Sequence, residues 1–567
     1  MTDALSQVKT YAYAQDDRLT GVTYTGAVNP TPNVSFTYDP YFPRLTAMTD
    51  GTGSRQYTYV PVGSLGALQL QQDSGPLPSS AITSAYDALG RLSQRTVQGA
   101  GAETFQYDAI GRVSVHTDDL GTFNLGYLGQ TDQITSRQLA SSTLATAWSY
   151  LTNTGDRRLA GIANTGLTAG QFSNFTYTTS PENFITGITE SSDSSAVYPA
   201  AGSQTATYNT LNQLTNLSGQ ALTFDANGNL TADGQRTYAW DAENRLVGIT
   251  YPGVSGKATA FTYDGLSRRA TISSTPPGGG SATVTSYLWC GDDICQARNA
   301  VNTTIRSYYD EGEYVPGTPA QTLYYGIDQI GSVRRVFATT SSAPAYGYDP
   351  YGAPLQATAP TTDFVYGGMF YNADSGLYLT NYRAFDPVQG RWLSRDPLGA
   401  MSDPTADLYT YVRGNPPALT DRLGLAEGDF PPPPPGYGNN WQTGRWPNGK
   451  YWVQDPGNGD IYTIHPEDRG HWRHWDKQDK GGNDEGMCPP KSRKPREGQK
   501  RPPYGPQSPA DPNGEASPWV PPDPEPPVSK PEMERGIIPV IPVDPVPLPE
   551  MPPFRIPPIR FPIPGIP

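Results

Sequence analysis

The sequence predicts an all-β protein, rich in turns, with a proline-rich tail. Its 567 residues include 60 Gly and 58 Pro, about twice the share that average usage gives. Gly and Pro are the poorest helix formers and the commonest turn residues, so this composition argues against a helical or α/β enzyme. A short unit that ends strands of alternating aromatic and polar residues recurs along the chain, which indicates that the turns join β-strands.

Charge and cysteine content exclude several classes of protein. The net charge is −14 and the pI is near 4.8, so the body of the protein is not expected to bind nucleic acid or an anionic membrane. Three cysteines are too few for a disulfide framework. Cys290 and Cys295 could pair in an oxidising compartment, but reduced thiols are the default expectation. The sequence shows no signal peptide and no membrane span, which predicts a cytoplasmic chain before any export.

Proline placement divides the chain near Leu425. Residues 1–425 hold 23 prolines, and the rest of the chain holds 35. Residues 426–440 contain five consecutive prolines and are predicted to be an extended spacer. Residues 502–567 carry proline at nearly every second or third position, which forbids helices and central strands. We therefore predict a largely disordered tail there.

The chain before this boundary repeats a unit of an aromatic residue, Asp, two variable residues, a small turn-former and Arg. The clearest copies are Tyr86-Asp-Ala-Leu-Gly-Arg91, Tyr107-Asp-Ala-Ile-Gly-Arg112, Trp240-Asp-Ala-Glu-Asn-Arg245 and Tyr263-Asp-Gly-Leu-Ser-Arg268. Neighbouring copies start 21 and 23 residues apart. A period near twenty residues corresponds to one pair of strands per repeat.

Each residue of the unit has a physical role. The aromatic ends a strand of alternating type, as in Phe105-Gln-Tyr107, so the rings are expected to share one face and stack along the array. Asp is expected to cap the turn, and Gly90, Gly111 or Asn244 supplies the positive φ of a tight hairpin. Arg is expected to reach back to the carboxylate. These predictions make the Asp and Arg pairs structural.

The unit resembles the YD repeat of bacterial RHS proteins, insecticidal toxin-complex C subunits and the teneurin shell. Residues 366–397, 407–416 and 421–425 resemble the RHS repeat-associated core domain. The resemblance implies a spiral β-sheet shell formed by residues 1–345 and closed by a core domain over 346–425. Family shells are longer, so an incomplete shell is expected. No cofactor is implied.

The resemblance also implies self-cleavage. In the family the core domain ends in two Asp motifs and cuts the chain after a leucine, and these motifs fall on Asp396 and Asp421, with the cut between Leu425 and Ala426. Two carboxylates held close together do not both ionise readily, so one keeps a proton while the other acts as base. Arg395 is expected to position the scissile carbonyl or to pair with a carboxylate.

Arg422 is a departure from the family pattern, which has proline at this position. A cation beside Asp421 is expected to lower the pKa of that carboxyl or to alter the turn that presents Leu425.

Residues 441–501 are predicted to form a compact variable domain, with a hairpin over Trp446–Thr463. A cluster follows of His465, Asp468, His471 and His474, of which His471 and His474 could share a helical face as metal ligands with His465 or Cys488. Six cations lie within residues 491–501. These residues are typical of a metal-independent nuclease or of a solvated turn with a basic linker, and they match no complete metal-binding spacing.

Three functions are therefore compatible with the sequence. The first is an RHS-type shell that encloses its own tail and releases it, by self-cleavage after Leu425, as a toxin in interbacterial or host antagonism. Its partners would be an immunity protein, a secretion component and, for a nuclease tail, nucleic acid. The alternatives are a non-enzymatic surface or carbohydrate-binding repeat protein and an inactive shell fragment. Self-cleavage and a tail nuclease are the two enzymatic activities left open.

Overall fold

The structure is a computed structural model. It describes residues 1–425 except 17, 43, 181–183, 195–201, 339–341, 357–358 and 398–406, together with five strand segments between residues 442 and 488. The described residues fall into two units, one within residues 1–425 and the other within residues 442–488.

The first unit begins with an antiparallel sheet in which every strand pairs with the next one along the chain. Its strands are β1 (Val8–Tyr13), β2 (Leu19–Thr25), β3 (Val34–Tyr38), β4 (Leu45–Asp50), β5 (Gly53–Tyr59), β6 (Leu70–Ser74), β7 (Ile82–Tyr86), β8 (Leu92–Val97), β9 (Ala102–Tyr107), β10 (Val113–Asp118), β11 (Gly121–Tyr127), β12 (Ile134–Leu139), β13 (Ala145–Tyr150), β14 (Leu159–Thr165), β15 (Phe172–Thr179) and β16 (Ile185–Ser192).

A small sheet and a second long sheet follow, again with each strand paired to the next. The small sheet contains β17 (Ala206–Tyr208), β18 (Leu214–Leu217) and β19 (Gln220–Ala221). The second long sheet contains β20 (Thr223–Phe224), β21 (Leu230–Ala232), β22 (Thr237–Trp240), β23 (Leu246–Thr250), β24 (Ala258–Tyr263), β25 (Arg269–Thr275), β26 (Thr283–Cys290), β27 (Asp293–Asn299), β28 (Thr304–Tyr309), β29 (Gly312–Val315), β30 (Gln321–Ile327), β31 (Val333–Ala338) and β32 (Ser342–Ala345).

The end of the first unit carries a short four-stranded sheet and little helix. Its strands are β33 (Phe370–Asn372), β34 (Leu377–Leu379), β35 (Ala384–Asp386) and β36 (Arg391–Trp392). The described part of the unit has short 3-10 helices at Asn153–Gly155, Tyr366–Gly368 and Val412–Gly414. No helix among the described residues has the length and apolar character needed to cross a bilayer. The predicted all-β fold class is confirmed.

The turn of each repeat is built as its residue types predict. Asp87 Oδ1 accepts hydrogen bonds from the N–H groups of Leu89 and Arg91, both at 2.9 Å, and Asp87 Oδ2 lies 2.6 Å from the Arg91 guanidinium. Gly90 has φ +75°, a conformation that costs glycine little. The predicted cap, positive φ and Arg contact are therefore confirmed, and all three are local structural features.

Arg91 also joins its own turn to the next repeat. Its guanidinium lies 4.2 Å from the ring centroid of Tyr107, and the Tyr107 hydroxyl donates to the carbonyl of Leu92 at 2.6 Å. The same two contacts recur for Arg18 with Tyr38, Arg44 with Tyr59, Arg112 with Tyr127 and Arg245 with Tyr263. Aromatic stacking was predicted, but each of these rings is covered by an Arg instead.

A β-bulge precedes the repeat aromatic. The register between β7 and β8 shifts between Ala85 and Tyr86, so that Tyr86 pairs with Leu92. The same shift occurs before Tyr38, Tyr59, Tyr127, Tyr150, Trp240 and Tyr263. An extra residue in one strand redirects the side chain that follows it. The extra residue lies in the strand that follows the turn, as Ser93 does opposite Ala85 and Tyr86, a feature that simple alternation did not predict.

The two long sheets run side by side in the same order. Polar contacts join them along their length: Lys9 with Glu243 at 2.9 Å, Asn164 with the backbone of Ile327 at 3.0 and 3.1 Å, and Asp193 with Arg335 at 3.0 Å. The sequence separation of these partners falls from 234 to 142 residues. The second sheet thus follows the first as the next turn of a spiral, which agrees with the predicted shell-like fold.

The segment after β32 packs against the second long sheet. One apolar cluster combines Trp240 and Ile249 of that sheet with Leu377, Leu379 and Leu393. A second cluster combines the sheet residues Val333 and Val336 with Tyr366, Tyr378, Phe385, Trp392 and Tyr411. Buried aromatic side chains contribute most of the contact area in such a core. The two long sheets, β1–β16 and β20–β32, form the wall of the first unit. The core domain predicted over residues 346–425 therefore shares its hydrophobic core with this wall.

Cys290 and Cys295 are joined by a disulfide between β26 and β27. The default expectation of reduced thiols at these two positions is wrong, and the alternative of a C-x4-C bridge is what the structure shows. The antiparallel pairing of Cys290 with Asp293 places the two cysteines across one tight turn.

The second unit is an antiparallel sheet of consecutive strands. Its strands are β37 (Gln442–Arg445), β38 (Tyr451–Gln454), β39 (Ile461–His465), β40 (His474–Gln478) and β41 (Asp484–Cys488). Strands β38 and β39 pair as a hairpin, which confirms the hairpin predicted within Trp446–Thr463. The spacer at 426–440 and the tail at 502–567 lie outside the described residues.

Burial should decide how much each turn contributes to stability. The Arg268 and Asp264 side chains are 7% and 4% exposed, whereas those of Arg91 and Asp87 are 30% and 24% exposed. Arg268→Met should lower the free energy of unfolding by about 3 kcal/mol, because it leaves a buried carboxylate without its cation. Arg91→Met should lower it by about 1 kcal/mol or less. Urea denaturation followed by tryptophan fluorescence measures both values, and equal losses would contradict the argument from burial.

Candidate active site

The structure brings Asp396 and Asp421 together on one buried cation, Arg383. The Arg383 Nη2 atom lies 2.9 Å from Asp396 Oδ2 and 3.0 Å from Asp421 Oδ2. The Arg383 and Asp421 side chains are each 2% exposed and that of Asp396 is 7% exposed. A guanidinium between two carboxylates offsets the repulsion that would otherwise keep them apart in a site of low dielectric.

Short local contacts hold Arg383 in place. Arg383 precedes β35 in a tight turn in which its N–H donates to Thr380 Oγ1 at 3.1 Å and the Thr380 hydroxyl donates to its carbonyl at 2.8 Å. Its guanidinium lies 4.2 Å from the ring of Trp392 on β36. Asp396 follows β36, and its N–H donates to the carbonyl of Leu408 at 2.9 Å. Contacts other than those with the two carboxylates therefore also hold the cation in place.

The Asp421 carboxylate also shapes the turn that ends at Leu425. Its Oδ1 atom accepts hydrogen bonds from the N–H groups of Gly424 at 2.7 Å and Leu425 at 3.0 Å. The Gly424 carbonyl accepts from Arg383 Nε at 2.6 Å. One carboxylate thus contacts both the shared cation and the backbone of the residue before the predicted cut.

Gly424 is required by this turn. Its φ is +76°, and a Cβ at this position would lie 2.2 Å from Thr380 Oγ1. Any other residue would be strained and would displace the side chain that holds Arg383. The glycine before Leu425 is therefore a structural part of the site.

Burial raises the pKa of Asp421 above its usual value, although Arg383 and the two backbone N–H groups act in the opposite direction. A raised pKa keeps a proton on this carboxyl more readily than on an exposed Asp. The expectation that Arg422 would lower this pKa is wrong. Arg422 is exposed, and its guanidinium lies beside Gly368.

Arg395 lies beside the second long sheet. Its side chain packs against Gly228 and Tyr409, and the cation that contacts both carboxylates is Arg383. The sequence interpretation did not single out Arg383. The signal that could have identified it is an arginine between Tyr382 and Ala384-Phe385, because a cation buried among apolar residues requires carboxylate partners.

The histidine cluster predicted in the tail is only partly described. His465 and His474 pair directly across β39 and β40, so their backbones lie at the same level of the sheet. His474 is in a strand, and the hypothesis that it shares a helical face with His471 is wrong. His471, Asp468 and Ala426 lie outside the described residues.

Both the sequence and the fold of the chain resemble those of known YD-shell and toxin proteins. A family model described as the teneurin YD-shell matches residues 192–416. The tRNA nuclease WapA of Bacillus subtilis strain 168 is 30% identical over 220 residues, which make up 37% of this chain and 9% of WapA. The toxin protein Tse5 of Pseudomonas aeruginosa is 28% identical over 261 residues, and the match covers 38% of this chain and 19% of Tse5.

The chain therefore spans less than a fifth of the length of these two relatives. Among solved structures, the crystal structure of TcdB2-TccC3-TEV superposes with a TM-score of 0.55 at 17% identity, over 75% of this chain and 27% of that chain. This likeness concerns the fold. The repeated turns, the core-domain motifs and the family match over residues 192–416 make the chain similar to YD-shell proteins of the RHS type.

Proposed function

We propose that this chain is a toxin-associated shell that cuts itself between Leu425 and Ala426. The observation that carries the proposal is that Asp421 contacts Arg383, the partner of Asp396, and also accepts a hydrogen bond from the N–H of Leu425. A pair of carboxylates is thereby held beside the residue that would supply the acyl group. The relative Tse5, which is named as a toxin, supports the biological setting.

The chemistry is hydrolysis of one peptide bond. Asp396 takes a proton from a water molecule, and the water oxygen attacks the carbonyl carbon of Leu425. Asp421, which burial helps to keep protonated, gives its proton to the nitrogen of Ala426 as the C–N bond breaks. The products are a carboxylate at Leu425 and an amine at Ala426. Arg383 balances the negative charge of the site throughout and fixes the turn through Gly424.

Release of the tail would then deliver residues 426–567 as a separate polypeptide. Within it, His465, Asp468, His471, His474 and the basic segment 491–501 are the residues proposed to act on nucleic acid. The partners proposed are the tail itself inside the shell, an immunity protein and a component that exports or delivers the toxin. The tRNA nuclease activity named for WapA belongs to that relative and supplies the substrate class for this proposal.

The wall contacts favour a shell over a carbohydrate-binding surface. An aromatic platform for sugars needs exposed ring faces. The rings of Tyr38, Tyr59, Tyr107, Tyr127 and Tyr263 are each covered by an arginine of the preceding repeat. These aromatics therefore serve the packing of the wall.

Cleavage is tested by expressing the full chain and measuring the masses of its products. The wild type should yield one fragment that ends at Leu425 and one that begins at Ala426. Asp396→Asn and Asp421→Asn should each slow cleavage at least about 100-fold, since each removes a group that transfers a proton. Asp407→Asn is the matched control, because Asp407 pairs with Arg391 in the same domain. An uncut wild type would exclude self-cleavage, and cutting that persists in Asp396→Asn would exclude the carboxylate pair.

The raised pKa of Asp421 predicts how the rate depends on pH. Asp421 must carry its proton to act as acid, so the rate should fall as pH rises through its pKa, by about tenfold for each pH unit above it. Chain purified uncut in urea and refolded at a series of pH values gives the rates by gel densitometry. Circular dichroism reports the folded fraction at each pH. A rate that increases steadily with pH in folded protein would argue against Asp421 as the acid.

A further inference from the structure

A buried cluster of titratable side chains joins the two long sheets, far from the candidate active site in sequence. His116 is on β10 and Asp118 ends that strand, while Glu311 is in the turn between β28 and β29. His116 and Glu311 are 1% and 2% exposed, and they are separated by 195 residues. Arg137 holds the turn by donating to the carbonyl of Asp310 at 3.1 Å.

The three side chains present one nitrogen and two carboxylates to a common point. His116 Nδ1 lies 3.1 Å from each Glu311 carboxylate oxygen and 3.8 Å from Asp118 Oδ2. One ligand atom from each residue lies within 4.8 Å of the others. Tetrahedral zinc, with bonds of about 2.1 Å, separates its ligand atoms by about 3.4 Å. The separations of His116 Nδ1 from Glu311 and from Asp118, 3.1 and 3.8 Å, lie on either side of this value.

The other side of the imidazole is arranged as it is in metal sites. His116 Nε2 lies 3.0 Å from Glu103 Oε1 on the neighbouring strand β9, and Glu103 Oε2 is 2.6 Å from Arg95 Nε. Metal-bound histidines usually donate their second ring N–H to a carboxylate, which fixes the tautomer and turns the free nitrogen toward the ion. Phe105 stacks on the imidazole with ring centroids 4.9 Å apart. The orientation of His116 is therefore set by groups that are not ligands.

Asp118 supplies an independent indication. Its side chain has 0% exposure, and its Oδ1 atom accepts a hydrogen bond from Leu120 N–H at 2.7 Å. Its Oδ2 atom is buried and has no hydrogen-bond partner among the described residues. A buried carboxylate oxygen without a donor is costly unless a bound proton or a cation neutralises it. This oxygen is the one that faces His116 Nδ1.

We propose that His116, Asp118 and Glu311 bind one divalent zinc ion. The ion would link the first long sheet to the second. Neutral imidazole favours zinc over calcium or magnesium, and two carboxylates balance the charge of the ion. Glu103 is already balanced by Arg95 and stays outside the ligand set. No metal site was predicted from the sequence, because the ligands lie on two sheets. The site is independent of the proposed cleavage.

The test uses the full chain, stripped with a chelator, incubated with zinc chloride and separated by gel filtration. Elemental analysis should find about one zinc per chain that is lost in Asp118→Asn. This variant keeps an oxygen for Leu120 N–H, so it should fold. Asp119→Asn is the matched control, since Asp119 binds the Tyr309 hydroxyl at 2.8 Å outside the ligand set. A chain with His465, His471 and His474 changed to Ala should retain the ion, which separates this site from the tail.

Stability provides a second measurement. Zinc at 100 times its Kd should raise the Tm of the wild type and of Asp119→Asn by about 3 °C, and it should leave the Tm of Asp118→Asn unchanged. His116→Gln should behave like Asp118→Asn if it folds. A wild type that retains no zinc would overturn the proposal. Zinc that remains in Asp118→Asn and disappears from the tail variant would also overturn it.

Discussion

The wall depends on an arginine that contacts two repeats at once. In the unit that begins at Tyr86, the guanidinium of Arg91 binds Asp87 of its own turn and covers the ring of Tyr107 in the next repeat. The hydroxyl of that ring returns a hydrogen bond to the residue after the arginine. Backbone pairing alone would leave the register of each hairpin free to slip. The side-chain contacts fix each repeat against its neighbour.

Between turns of the spiral the contacts are of a different kind. Neighbouring strands within a sheet share a backbone ladder, whereas Lys9 with Glu243 and Asp193 with Arg335 join the sheets through charged side chains. Such pairs add little net stability when buried, but a mismatched pairing leaves a charge without a partner. We interpret these contacts as setting which part of the second turn faces which part of the first. The cluster of His116, Asp118 and Glu311 also lies between the two long sheets.

The sequence predicted the contacts between residues that are close in sequence and missed those between residues that are far apart. Asp87, Gly90 and Arg91 act within four residues of one another, so their residue types were sufficient to predict cap, φ and ion pair. The bulge before each aromatic was missed because alternation carries no sign of an extra residue. Arg383 is 38 residues from Asp421, and only the folded chain shows that it stands between the carboxylates. Arg422 was misjudged because sequence adjacency does not determine where a side chain points.

The separation of the cross-turn partners bears on how the chain is made. Each hairpin of the first sheet can form from neighbouring residues as soon as they leave the ribosome. The residues of the second long sheet that contact those hairpins follow 142 to 234 residues later. The contacts between the two long sheets therefore have a high contact order and form slowly. Until then, the residues of the first long sheet that will contact the second sheet are exposed to other nascent chains. A shell of this design is therefore most vulnerable to aggregation during its own translation, before its second turn has been synthesised.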